Sequence, residues 1–382
     1  MSQTDWDVVI VGGGLSGLSL AVELAQPAFS HLRVLVLEKR SHYTRDRTWS
    51  YWATKQHRYS ALERKRWNKW RVGFAGQDAV QNSTVPYCSL DADAFYAFAV
   101  EQIAASQHVQ LRMGVSVSGL TGGSQPTVTL ADGSVLSAKQ VMDARPRLNT
   151  NATALGQHFM GWEITTDTDC FTTDTVELMD FQRTRAGLHF FYVLPYGPRR
   201  ALIETTWISD KQHQPDYSAE LQAYISRRYG IESAQVSYRE QGWLDLQMQP
   251  TDSNSTGITP LGRGAGTLRP STGYAFLQTV EDANRIASCF QGVPSDAIGD
   301  LRIAPYQRPA LDSVMDKVFL QTIKSDWERA PEYFLAMFKG VAPEALVIFL
   351  SGNSGLSQRL QVASQLPIPP FFRGALACLA GK

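Results

Sequence analysis

One carboxylate stands alone in an apolar stretch. In "RALIETTWIS", residues 200–209, Glu204 is flanked by Leu202, Ile203, Thr205, Thr206, Trp207 and Ile208. β-Branched and aromatic residues, uninterrupted by Gly or Pro, predict a β-strand. Alternation puts Glu204 on the face of Leu202 and Thr206. No Lys or Arg stands beside it until Arg200. Such a carboxyl has two fates. At a sheet edge, facing solvent, it is an ordinary charged group. Facing a dry cavity, its charged form loses hydration, its pKa rises, and it keeps a proton that it can donate at neutral pH.

A second group of residues suits a dinucleotide. "DVVIVGGGLSGLSLAVELAQ", residues 7–26, runs from an unbroken apolar strand through glycines into helical spacing at Leu15, Leu18, Ala21, Val22 and Leu24. Gly12 permits a tight turn, Gly14 a close approach of backbone to a pyrophosphate, and Gly17 close packing of helix on strand. The helix N-terminus then faces the phosphates. The next strand, "LRVLVLEKR", ends on Glu38, an acid suited to a ribose hydroxyl. The glycines alone are a weak signal. Strand, turn, helix, second strand and terminal acid in this order are a strong one.

These groups need a scaffold. Residues 41–150 open with a loop, "SHYTRDRTWSYWATKQHR", followed by helical "LDADAFYAFAVEQIAAS" with Asp91 or Asp93 as N-cap. "PTVTLADGSVLSAKQVMDARP", residues 126–146, predicts a hairpin through Asp132-Gly133 and then a strand ending at Asp143. It resembles the segment that returns the chain to the FAD domain in flavoproteins of the two-dinucleotide type, which favours FAD over NAD. Residues 151–250 carry strand-like runs ("FMGWEI", "TVELMDF", "LHFFYVLPYG") and one helix at 218–230, predicting an antiparallel sheet with one face on a cavity. Residues 256–290 return to the nucleotide fold, with glycines at 262, 264 and 266 ahead of Thr272, Gly273 and a helix from about Phe276. From 311 onward the chain reads as apolar helices.

Bulk properties exclude several classes. Lys+Arg and Asp+Glu balance at 36 each, so no basic face for nucleic acid is expected. Cys88, Cys170, Cys289 and Cys378 are scattered without a C-x-x-C, which suggests neither a zinc site nor a disulfide framework. The N-terminal residues read as a strand rather than a cleaved leader. No apolar run of about 18 residues predicts a membrane span.

Taken together, "DVVIVGGGLSGL", "RTWSYW", "MDARP", "GWEI", "YVLPY", "LIETTW", "RPSTGY" and the ending "LPIPPFFRGALA" resemble the bacterial lycopene β-cyclase family over nearly the whole chain. That family is a branch of the FAD-dependent superfamily that includes aromatic hydroxylases and geranylgeranyl reductases. Three positions depart from its pattern: Pro146 after the "DAR" motif, Glu204-Thr205-Thr206 within the acidic strand motif, and Asp245 in "QGWLDL".

The resemblance implies an α/β fold: a Rossmann-type FAD-binding domain (1–150 and 256–310), an inserted antiparallel-sheet substrate domain (151–255), and a helical C-terminal region (311–382) serving as lid or membrane contact. It implies redox-neutral, proton-initiated cyclisation of the ends of lycopene, or a related linear carotene, to β-ionone rings, using reduced FAD with NAD(P)H as reductant. Glu204 is the expected general acid, or the group that holds the reduced flavin that is, with Glu163 and Glu240 as second-choice acids. Gly12, Gly14, Gly17, Glu38, Arg47, Asp143, Gly264, Thr272 and Gly273 are the expected cofactor residues. Trp49, Trp162 and Phe191 are candidates to face a cation. No metal is implied. The expected location is cytoplasmic, peripheral to the inner membrane, where lycopene dissolves. The alternatives are a flavin-dependent monooxygenase, a prenyl reductase, and a non-enzymatic carotenoid or lipid carrier. The absence of an Asp from "GRGAGTLRPSTGY" argues against the monooxygenase.

Overall fold

A computed structural model describes residues 6–146, 151–247 and 256–380. The fold is mixed α/β, built on two sheets. In the first, Val109–Arg112, Val34–Leu37, Trp6–Val11 and Val135–Asp143 lie side by side in parallel, and Ile258–Pro260 adds to the last of them. The Val34–Leu37 strand is apolar at every position because both faces are covered. Thr127–Leu130 and Val117–Thr121 extend this sheet antiparallel through the expected hairpin. The helix Leu15–Leu24 follows the glycine turn and packs against Phe276–Phe290, which joins the late segment to the nucleotide fold.

The second sheet has eight strands. Its order is Gln235–Asp245, Leu155–Thr165, Arg200–Asp210, Leu188–Gly197, Thr175–Gln182, Lys65–Phe74, Gln77–Asp91 and Thr48–Trp52. It is antiparallel except where Thr175–Gln182 runs parallel to Lys65–Phe74. Its last three strands lie within 1–150, where the sequence presents a loop over 41–58 and from there no strand before 126. Two features hide them. Ala75 and Gly76 both adopt positive φ, 51° and 77°, making a two-residue hairpin turn without the usual Asn-Gly. A bulge between Trp67 and Lys69 breaks the alternation, so Trp67 and Trp70 are both buried.

The helix Tyr217–Tyr229 is capped at its start by Asp216, which accepts from the Ala219 N–H, and at its end by Gly230 at φ 68°. It covers one face of the second sheet. Five helices, Ala310–Ser325, Ala330–Gly340, Pro343–Leu350, Leu356–Ser364 and Ile368–Leu379, form the C-terminal region. The first and last cross closely at Gly374, where a Cβ would lie 2.2 Å from the Thr322 hydroxyl.

Candidate active site

A cavity of about 1430 Å³ runs from the glycine turn, across one face of the second sheet, to the C-terminal helices. Ligand pockets for a single small molecule span about 300–1,000 Å³, so this one has room for a dinucleotide and a second, apolar molecule. At one end it is lined by Gly12, Gly14, Glu38 and Arg47. In the middle lie Tyr192, Glu204 and Tyr274. Toward the helices the walls are Phe319, Phe334, Met337 and Phe338.

The glycines divide their work by position. Gly12 has φ 105°, and a Cβ on Gly17 would lie 1.9 Å from the Gly12 carbonyl oxygen, so helix and turn touch there. At Gly14 a Cβ would meet nothing within 4 Å, and this open side faces the cavity. Glu38 accepts from the Gly13 N–H at 2.6 Å and from the Arg40 N–H and Nε at 2.8 and 2.9 Å. Burial works against its charge, but the Arg40 contacts and the Gly13 N–H outweigh it and hold the carboxyl below its usual range. An open glycine cradle at a helix N-terminus, beside an ionised acid, fits the phosphates and ribose of a dinucleotide.

On the opposite wall, Thr272 and Gly273 line the cavity from a turn in which Gly273 has φ 71°. Arg47 also lines it and pairs with Asp46. Asp143 is bound by Arg145 through two bonds of 2.8 and 3.0 Å, and the neighbouring Ala144, Arg145 and Pro146 line the wall. Gly264 packs near the Arg145 carbonyl. Gly262 and Arg263 line the cavity, and Gly262 approaches Ser16 so closely that a Cβ would lie 2.6 Å from its hydroxyl.

Three acids were candidates, and the structure separates them. Glu204 reaches the cavity from the middle of the sheet. Burial, and then the charge of the neighbouring Glu240, push its pKa well above the carboxylate range, with no arginine or lysine among the groups acting on it. Glu240 is 4 % exposed and is likewise raised, chiefly by burial.

Glu163 is the opposite case, and as an acid it is corrected. It is fully buried and accepts from Arg64 at 2.7 and 2.8 Å, pairs with Arg45 at 2.7 Å, and accepts from Arg200 at 2.5 Å. Burial alone raises it, but Arg64 and Arg45 more than reverse this and bring it to about 2. A carboxylate held by three guanidinium groups is ionised and has no proton to give. Asp91 joins the same cluster through Arg45 and Arg64. Its side chain therefore makes no cap bond to the helix Ala92–Ala104 that begins beside it.

The aromatic candidates divide by strand parity. Trp49 lines the cavity, braced edge-on by Phe95 and Tyr96. Trp162 and Phe191 belong to the opposite face. Phe191 stacks on Tyr224 of the covering helix at 3.8 Å, and Trp162 receives Arg239 at 5.5 Å. The cavity-facing rings of those strands are Phe159, Phe190 and Tyr192 instead. Tyr192 stands directly opposite Glu204 and donates to Tyr87 at 3.1 Å. The Tyr274 hydroxyl is 3.4 Å from the same Tyr87 oxygen. This phenol cluster carried no signal of its own in the sequence, because three separate segments contribute it.

Among the described residues, no cluster of His, Cys, Asp and Glu is arranged to hold a metal ion.

Comparison with known proteins is consistent across the chain. The family model described as "Lycopene cyclase protein" matches residues 7–376. A lycopene beta-cyclase from Paracoccus sp. (strain N81106 / MBIC 01143) is 28% identical, over 98% of this chain and 97% of that protein. Among solved structures, a geranylgeranyl bacteriochlorophyll reductase-like protein from Thermoplasma acidophilum matches with a TM-score of 0.62 at 15% identity, over 96% of this chain and 98% of that one. The halogenase PltM, solved as a mutant in complex with FAD, matches with a TM-score of 0.56 at 14% identity, over 94% and 86%. At these identities the structural matches establish the fold alone.

Proposed function

The chain belongs to the lycopene cyclase family, and from that premise we propose that it closes β-rings on lycopene or a related linear carotene by redox-neutral proton transfer. One observation carries this reading: Glu204, a carboxyl whose surroundings favour the protonated form, lies on the wall of a large, mainly apolar cavity beside a dinucleotide cradle.

Glu204 delivers its proton to C2 of the terminal C1=C2 bond, leaving a tertiary cation at C1. The C5=C6 bond attacks through C6, the positive charge moves to C5, and loss of the C6 proton leaves the ring. No electrons are gained or lost. The chain's own part is to hold the polyene end against Glu204, keep water away, and face the cation with rings. Trp49, Tyr192 and Tyr274 line the cavity and present π-systems suited to this. Gly12, Gly14 and Glu38 would hold FAD on one wall, with Gly17 letting the helix close on the turn, and Arg47, Thr272 and Gly273 on the other, with Asp143 and Gly264 behind them. Bound in its reduced form, FAD supplies an electron-rich ring that offsets positive charge without net hydride transfer, with NAD(P)H as the source of reducing equivalents.

The substrate also suggests a location at the membrane surface. No helix among the described residues is long and apolar enough to cross a bilayer. The cavity reaches the surface at Val314, Ile368 and Phe372, all lining residues that are exposed. Along the last helix, Ile368 (79 % exposed), Phe372, Leu376 and Leu379 (85 %) form an outward apolar stripe at helical spacing. Leu356 and Leu360 on the preceding helix are exposed as well. Such a face would dip into lipid and open the cavity to a dissolved polyene, which supports a peripheral association with the inner membrane.

The test is anaerobic incubation of FAD-loaded protein and its Glu204→Gln variant with lycopene in liposomes and a reductant. The parent is expected to make cyclised product, and the variant at least about a hundredfold less while retaining FAD. A variant that cyclises at the parent's rate would end this assignment.

A further inference from the structure

Gly161 sits between two acids. On the strand Leu155–Thr165 it is directly opposite Glu204 on one side and Glu240 on the other. Side chains directly opposite on neighbouring strands share a face, so both glutamates project over the same glycine. A Cβ there would lie 2.9 Å from the Glu204 Cγ and 3.1 Å from the Glu240 Cγ. Any side chain at position 161 would therefore force the acids apart.

Their surroundings differ. Glu204 faces the cavity and Tyr192. Glu240 lies behind it, where Tyr238 donates to Oε2 at 2.8 Å. The Arg45 guanidinium stands 3.8 Å over the Tyr238 ring and acts on Glu240 through its charge, and the Thr48 backbone also bonds to it. Among the described residues, Glu240 Oε1 is buried with no other hydrogen-bond partner. A buried acceptor without a donor is costly, and the Glu204 carboxyl lies within hydrogen-bonding reach of Glu240.

We propose that Glu204 and Glu240 act as one carboxyl pair holding a single proton across the missing side chain of Gly161. Glu204 is the member that meets substrate, and Glu240 is its positioning partner. Donor groups around Glu240 keep it the anionic member, and its charge keeps the proton on Glu204. When Glu204 gives its proton to C2, an O–H bond breaks and a C–H bond forms, leaving two carboxylates side by side facing a carbocation. Their mutual repulsion makes the pair a strong base. The C6–H bond then breaks, its electrons close the ring double bond, and the proton returns to the pair. Each cycle starts and ends with one proton on two carboxyls.

This inference rests on the cyclase reading, but its test does not need turnover. Infra-red spectra of FAD-loaded protein, recorded across pH 5–10, report the C=O stretch of a protonated carboxyl. The parent is expected to keep one such band above neutral pH, absent from Glu204→Gln. In Glu240→Gln, which keeps the shape and removes the charge, the band should persist but titrate at least about one pH unit lower, a tenfold change in proton affinity. The alkaline limb of the rate profile should shift by the same amount. Gly161→Ala should move the band in the same direction. If Gly161→Ala fails to fold, Glu240→Gln decides alone. A band whose titration is unchanged in Glu240→Gln overturns the pair, whether or not the protein cyclises lycopene. A band that behaves as expected in a protein that does not cyclise lycopene would leave the pair standing and remove the cyclase reading.

Discussion

Replacing Glu163 by Gln separates an ion-pair carboxylate from a proton donor. Glu163 is fully buried and takes hydrogen bonds or ion pairs from Arg64, Arg45 and Arg200. In the folded chain its pKa is about 2 against an ordinary 4.5, a gap worth about 3 kcal/mol at about 1.4 kcal/mol per pH unit. Removing one partner of a buried ion pair costs about 3–5 kcal/mol, because the opposite charges stay buried without compensation. Glu163→Gln should therefore lose about 3 kcal/mol at pH 7. The sign with pH follows from a carboxyl lowered on folding. Its stabilisation is complete above the unfolded value of 4.5 and fades as pH falls toward about 2. The stabilities of parent and variant should thus converge as pH drops from about 5 toward 2. Urea unfolding followed by tryptophan fluorescence, stepped through that range, reads both effects. A variant as stable as the parent at every pH but unable to cyclise lycopene would refute the reasoning and return Glu163 to the list of acids.

Other expectations follow from the same geometry. Gly14→Val should fold normally by circular dichroism yet purify with little flavin, because a side chain there occupies open cavity and meets no protein atom. Gly17→Ala should fail to fold or to bind flavin at all, since its Cβ would strike the Gly12 carbonyl. Phe372→Glu paired with Ile368→Glu should leave the melting temperature unchanged, as both side chains are exposed. The same pair should lower liposome co-sedimentation and turnover of liposomal lycopene severalfold, and normal co-sedimentation would count against the proposed membrane face.

What the sequence revealed depended on whether a signal was local. The glycine turn, its helix and Glu38 lie within one continuous stretch, each with its own physical cause, and the structure reproduces that order. Glu204 was legible because an unpaired acid in an apolar strand is conspicuous whatever surrounds it. Glu163 was not, because its three arginines come from positions 45, 64 and 200 and meet only when the sheet forms. Ring type alone points to Trp162 and Phe191, whereas which face a ring occupies is set by strand register, a non-local quantity. The same holds for Gly161, whose role appears only once the two glutamate strands are seen to flank it. The strands at 48–91 were missed because a bulge at Trp67 and an Ala-Gly turn disguise their alternation.

The central claim is acid-initiated ring closure without net redox change. Its most direct test is anaerobic turnover in D2O: FAD-loaded protein, lycopene-loaded liposomes and a catalytic amount of reductant, with products resolved by chromatography and mass spectrometry. Cyclised product is expected, with deuterium at C2 of the ring closed in the first turnover of D2O-equilibrated protein, no need for oxygen, and no stoichiometric use of reductant. Unchanged lycopene under these conditions, with reductant consumed only when oxygen is admitted, would contradict it.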